Sequence, residues 1–179
     1  IDIIRIFDAL NDIRNLETAI NATKKEKGHV QATISYTISP VHNNEAFVKM
    51  SKDLENMGAD SICIKDMAGI LTPAVARELI PAIKAVIDVP VNLHTHATSG
   101  VSQMTYLVAV ENGVDIIDTA ISPLAEGTSQ PPTESMALTL EELNVNTHLN
   151  IDTLEEIADY FKGIRDKYLA DGTLDSKMM

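Results

Sequence analysis

Ser61-Ile62-Cys63-Ile64-Lys65-Asp66-Met67-Ala68-Gly69-Ile70-Leu71-Thr72-Pro73 holds a strand, a turn and the start of a helix in one stretch. The β-rich run over residues 61–64 ends in charge at Lys65 and Asp66, a glycine-containing turn follows, and Thr72-Pro73 supplies an N-cap with proline at the first helical position. Helical periodicity then covers residues 73–86 and the next β-rich run opens at Val91. The rhythm recurs, with runs opening near Ile3, Val30, Ser61, Val91 and Ile116 and further helices predicted over residues 15–27, 43–57, 102–112 and 133–143. Gly28, Gly58 and Gly113 each precede the next strand, where a left-handed residue closes a helix. Such alternation predicts an α/β fold of parallel strands with crossover helices.

Two architectures accept repeated βα units. A doubly wound sheet usually announces a nucleotide by a Gly-rich turn after its first strand, and neither the dinucleotide nor the P-loop pattern occurs. A (β/α)8 barrel gathers its chemistry at the C-terminal strand ends. The polar residues fall there: Asp8 and Asn11, Ser35 and Thr37, Lys65 and Asp66, His94 and His96, Thr119 and Ser122. The expected fold is therefore of parallel TIM-barrel type with only five βα units. Five units cannot close eight strands, so either three are missing from the N-terminal side or the chain forms an open or self-paired partial barrel. The start at Ile1, inside a strand and without methionine, reads as a piece of something longer. A last helical pattern over residues 153–169 sets Leu154, Ile157, Phe161 and Ile164 on one face. Residues 1–147 are assigned to the partial barrel and 148–179 to the start of a C-terminal helical extension.

Composition bounds the function. A chain of 179 residues with 45% apolar and 22% charged residues folds around a core. Its net charge of −12 argues against nucleic acid and against an anionic lipid surface. Cys63 is the one cysteine, which excludes an internal disulfide and suits a reducing cytoplasm; inside an apolar run it reads as a small buried hydrophobe. No long apolar run or basic leader suggests membrane insertion or export.

On a strand, His94 and His96 project to the same side and present two imidazoles to one point. Lys65 ends the preceding strand, close enough to join them. A protonated amine has no lone pair, so as a ligand Lys65 must lose its proton or carry a carbamate. The competing reading pairs Lys65 with Asp66 at the strand end.

The stretch Ile62-Cys63-Ile64-Lys65-Asp66-Met67-Ala68-Gly69 with Leu71-Thr72-Pro73, followed by Leu93-His94-Thr95-His96-Ala97-Thr98-Ser99-Gly100, resembles the carboxyltransferase domain shared by pyruvate carboxylase, the oxaloacetate decarboxylase alpha subunit and the large transcarboxylase subunit. Arg5-Ile6-Phe7-Asp8-Ala9-Leu10-Asn11-Asp12, Ser35-Tyr36-Thr37 with Ser39-Pro40-Val41-His42, and Asp118-Thr119-Ala120 with Gly127-Thr128-Ser129-Gln130-Pro131-Pro132 extend the likeness. It implies barrel strands four to eight and the beginning of the helical extension. It also implies a divalent metal (Zn, Mn or Co) on a carbamylated Lys65, His94 and His96. The family's fourth ligand, an aspartate of the first strand, has no counterpart here, and its keto-acid-binding glutamine and arginine belong to the absent portion.

Thr128 matches the threonine that shuttles a proton between pyruvate and biotin, although by itself it reads as a turn residue. Gln130, in the same loop, is carried over as a substrate contact. Asp8 is a substrate contact, an N-cap or the ion-pair partner of Arg5. The implied function is metal- and biotin-dependent carboxyl transfer between oxaloacetate or pyruvate and biotin borne by another domain or chain. Ala97, where pyruvate carboxylases commonly have aspartate, and the Phe-Asp-Ala-Leu-Asn-Asp run lean toward the oxaloacetate decarboxylase alpha subunit or the separate B subunit of two-subunit pyruvate carboxylases; the expectation is the decarboxylase type, with the B subunit or the large transcarboxylase subunit as the alternative. A cytoplasmic homo-oligomer is expected, in the decarboxylase case peripheral to the inner membrane through membrane-bound subunits. The alternatives are a metal-dependent aldolase or Claisen-type lyase and an inactive structural fragment that pairs with another chain; the isolated chain is expected to be inactive.

Overall fold

The structure is a computed structural model and describes residues 1–174. Strands β1 (Ile3–Ile6), β2 (His29–Ser35), β3 (Ser61–Asp66), β4 (Val91–Thr95) and β5 (Ile116–Ile117) form one parallel sheet in the order β1-β2-β3-β4-β5. Between and after them run α1 (Glu17–Lys25), α2 (Asn44–Asn56), α3 (Pro73–Lys84), α4 (Ser102–Glu111), α5 (Thr133–Glu142) and α6 (Ile151–Ala170). Spatial order equals chain order, whereas a doubly wound sheet reverses at a switch point. The winding is that of a barrel, as expected.

The two faces of the sheet differ in chemistry. Ile6, Val30, Ala32, Ile34, Ile62, Ile64, Val91 and Leu93 point outward onto a buried helix layer that includes Ile20, Phe47, Leu54, Leu79, Ile80, Ile83 and Tyr106. Each Val, Leu, Ile or Phe among them taken fully from water contributes roughly 1.5–3 kcal/mol. The inner face is polar. Register aligns Arg5 with Gln31 and Ser61, then Thr33 with Cys63 and Asn92, then Ser35 with Lys65 and His94.

The sheet is curled. Five flat strands would place β1 roughly 19 Å from β5 at 4.8 Å per step, yet the Arg5 guanidinium reaches the Asp118 carboxylate, just past β5, at 2.7 Å.

Several local expectations are refined. Thr72 caps α3 as expected, its hydroxyl accepting from Val75 N at 3.4 Å. Gly58 (φ +100°) and Gly113 (φ +93°) are left-handed, but after α1 it is Lys27 (φ 59°), one residue before Gly28, that takes this conformation. The first helical pattern splits into a 3-10 turn at Ile13–Asn15 and the shorter α1. On α6 the inward stripe runs through Leu154, Ala158 and Phe161, and Ile157 is 40% exposed. Among the described residues no helix is long and apolar enough to cross a membrane.

Candidate functional site

The C-terminal ends of β3 and β4 set Lys65 beside His94 on the inner face, with His96 just beyond β4. His94 and His96 turn their rings toward each other, Nε2 to Nε2 at 3.2 Å with centroids 5.1 Å apart. Each ring is fixed through its other nitrogen. His94 Nδ1–H donates to Asp118 Oδ2 at 2.8 Å, and His96 Nδ1–H donates to the Thr128 carbonyl at 2.6 Å. A carboxylate and a carbonyl only accept, so both Nδ1 atoms carry the proton and both Nε2 lone pairs are left to meet. In neutral rings that is acceptor against acceptor, an arrangement relieved by a shared cation. Two nitrogens about 2.0–2.1 Å from one ion at a tetrahedral angle stand roughly 3.3 Å apart, so the imidazole pair fits a common metal. Among the described residues no three His, Cys, Asp or Glu side chains converge; a third donor to that point therefore has to come from another residue type.

Lys65 lies beside His94 in register on the same face. Its Nζ sits 5.4 Å from the Phe7 ring centroid. The anticipated pairing with Asp66 does not occur, because consecutive strand residues face opposite ways. Asp66 is fully buried and accepts from Ile70 N (3.1 Å), Leu71 N (2.7 Å) and Thr95 Oγ1 (2.8 Å). It binds the loop after β3 to the end of β4. Gly69 completes that seam at φ +67°, where a Cβ would stand 2.5 Å from the His96 carbonyl oxygen.

The loop between β5 and α5 crosses the site from the other side. Glu126 (φ 69°) and Gly127 (φ 56°) turn it tightly, and the Ser129 carbonyl accepts from Ala97 N at 2.8 Å. This presents an exposed Thr128 whose hydroxyl has no hydrogen-bond partner among the described residues, and brings Gln130 Nε2 to 3.3 Å from His94 Nε2. Asp8 is not drawn in. Its carboxylate accepts from Leu10 N, Asp12 N and Asn15 Nδ2 at 3.0–3.1 Å, which lowers its pKa. Nor does it pair with Arg5, which is engaged elsewhere.

Comparison with known proteins gives the family. The HMGL-like family model matches residues 7–161. The chain belongs to the HMGL-like family. Among its relatives, the pyruvate carboxylase B subunit of Methanocaldococcus jannaschii is 55% identical over 168 residues, covering 94% of this chain and 30% of that protein. The methylmalonyl-CoA carboxyltransferase 5S subunit of Propionibacterium freudenreichii subsp. shermanii is 48% identical over 169 residues, covering 93% and 34%. The carboxyl transferase domain of Rhizobium etli pyruvate carboxylase, solved with pyruvate, superposes with a TM-score of 0.91 at 34% identity, covering 94% of this chain and 30% of that one. The resemblance to carboxyltransferase domains, and the five-stranded part of a TIM barrel it implied, are borne out. This HMGL-like chain spans about a third of the length of these curated relatives.

Sequence reasoning missed the group behind His94. Asp118 receives hydrogen bonds from His94, from Arg5 Nη1 (2.7 Å) and from Asn92 Nδ2 (3.0 Å). Burial works to raise its pKa, and these three donors outweigh burial and hold it well below the usual carboxylate range. The available signals were one cation inside the otherwise apolar β1, and an aspartate at the register position beside His94, one step past the Leu93–Ile117 pair.

Proposed function

We propose that the chain forms the metal-holding, proton-transferring side of a biotin-dependent carboxyltransferase that moves a carboxyl group between pyruvate or oxaloacetate and biotin. The supporting observation is the pair of Nε2 atoms at 3.2 Å, each on a ring whose Nδ1 faces an acceptor, beside Lys65 at the open end of a barrel-type sheet. His94 and His96 hold a divalent metal (Zn, Mn or Co), with Lys65, carbamylated, as the third ligand. Bound there, the metal supplies Lewis-acid stabilisation of the negative charge that develops on the keto oxygen when the C3–C4 bond of oxaloacetate breaks. Biotin would arrive on a carrier domain of another segment or chain, and its ring nitrogen would take the carboxyl group in exchange for its proton.

The chain's own residues do the rest. Thr128 would carry the proton released by the biotin nitrogen to C3 of the pyruvate enolate, and its exposed hydroxyl, without a partner among the described residues, suits that task. Gln130 orients the keto acid beside His94. Asp8 acts from outside the cluster, by holding its own loop. The 55% identity to a pyruvate carboxylase B subunit supports the pyruvate carboxylase type; Ala97 directly after the His-Thr-His run keeps the oxaloacetate decarboxylase alpha type, with its membrane-bound partner subunits, as the second reading.

Biotin-dependent conversion of oxaloacetate to pyruvate by the full-length protein tests this. Thr128→Ala is expected to slow it by about 10²–10⁴-fold with metal affinity unchanged, and Lys65→Ala to reduce metal affinity sharply. Undiminished metal binding by Lys65→Ala would return the site to the aldolase or Claisen-type lyase reading.

A further inference from the structure

Arg5 ties the two edges of the sheet together. From β1 its Nε donates to Gln31 Oε1 on β2 at 2.6 Å, its Nη2 to Asn92 Oδ1 on β4 at 3.3 Å, and its Nη1 to Asp118 Oδ2 past β5 at 2.7 Å. The same Asp118 oxygen takes the His94 Nδ1 proton, which explains why Arg5 Nη1 and His94 Nδ1 stand 3.3 Å apart although both are donors. Asp118 Oδ1 is held by Asn92 Nδ2 at 3.0 Å. Neither carboxylate oxygen is free to rotate away. From the helix side, the buried Tyr106 hydroxyl accepts from Thr95 N at 3.0 Å and donates to the Asp118 carbonyl at 2.7 Å, so the backbones beside His94 and at Asp118 share one anchor. Gln31 is fixed in turn, its Nε2 donating to Ser61 Oγ at 3.3 Å, and Ser61 Oγ is 2.7 Å from His29 Nε2.

We propose that Arg5 is a positioning residue. Acting through Asp118, it fixes His94 in the Nδ1–H tautomer and aims its Nε2 at the point shared with His96. The guanidinium fork is suited to this because it offers donors in several fixed directions and never loses its charge. A lysine keeps the charge but cannot hold Gln31, Asn92 and Asp118 at once. Without the fork, Asp118 turns toward solvent and His94 is released to the other tautomer, which points a proton where a lone pair is needed.

The inference rests on the metal-holding reading of His94 and His96, and the test separates the two. Wild type, Asp118→Asn and Arg5→Lys are prepared metal-free as the full chain, and folding is checked by circular dichroism. Imidazole ¹⁵N shifts report the His94 tautomer; competition with a chromophoric chelator for Zn²⁺ and Co²⁺ reports affinity. The expected result is an Nδ1–H tautomer in wild type, a mixed or inverted population in both variants, and metal affinity lowered about 10–100-fold by Asp118→Asn and by a smaller factor in Arg5→Lys. Should Asp118→Asn fail to fold, Arg5→Lys alone decides. Wild-type tautomer and affinity in a folded Arg5→Lys would overturn the positioning role while leaving the metal site standing. Failure of the wild type to bind either ion, with the tautomer still responding to Arg5, would sink the metal site and leave the positioning device intact.

Discussion

Tyr106 shows how much one hydroxyl holds. Fully buried, it satisfies a backbone N–H on β4 and a backbone carbonyl past β5, and burial pushes its phenol pKa up. Tyr106→Phe keeps the ring and leaves both backbone groups unmet, at a cost of about 1–3 kcal/mol; urea unfolding reads it, and an unchanged midpoint would show that water replaces the hydroxyl. Cys63 carries the opposite lesson. It is inaccessible, and burial pushes its thiol up to about 12, so native protein at pH 8 should resist alkylation until it unfolds. The sign of the linkage follows. The folded state holds this proton more tightly, so the contribution is fully present below about pH 8.5 and is lost as pH rises from there toward 12. Alkylation of the folded chain at the rate of a free thiol would contradict this.

The loop from β3 to α3 is the element that sets the height of His96. Asp66 pins its backbone, Ser99 Oγ bonds the Gly69 carbonyl, and Gly69 presses on the His96 carbonyl. Gly69→Ala combines a left-handed φ with a Cβ meeting backbone, neither of which can give way cheaply. A loss of at least about 1–3 kcal/mol is expected, read as a lower Tm, together with weaker metal binding as His96 shifts. A variant as stable as wild type would mean that the loop moves freely of β4. At the same scale the helices were legible because caps and apolar spacing are local. On α6 the apolar spacing put Ile157 on the inward face, yet Ile157 is 40% exposed and Ala158, a weaker apolar signal, is buried.

At the scale of the molecule the inner face is polar and self-satisfied. Among the described residues no buried side-chain nitrogen or oxygen lacks a partner. Strand β1 pairs only with β2 there, and Ile1, Ile3, Phe7 and Leu10 are exposed along or just beyond it. A free strand edge with apolar neighbours promotes pairing between chains. The full chain is expected to give a concentration-dependent mass in light scattering, and Ile3→Lys to lower it. A wild type that stays monomeric across the concentration series would refute the expectation.

The sequence by itself determined the number and kind of βα units, the strand-end placement of Lys65, His94 and His96, the turn that holds Thr128, and the family. Those features are written in spacings of two and 3.6 residues and in contiguous motifs, so neighbours along the chain suffice to read them. Only the tertiary structure decided that Asp66 serves the loop rather than Lys65, that Asp8 serves its own turn, and that Arg5 reaches Asp118 behind His94. These depend on which face each strand turns inward and on how far the sheet curls. No local pattern records the distance between residues 5 and 118.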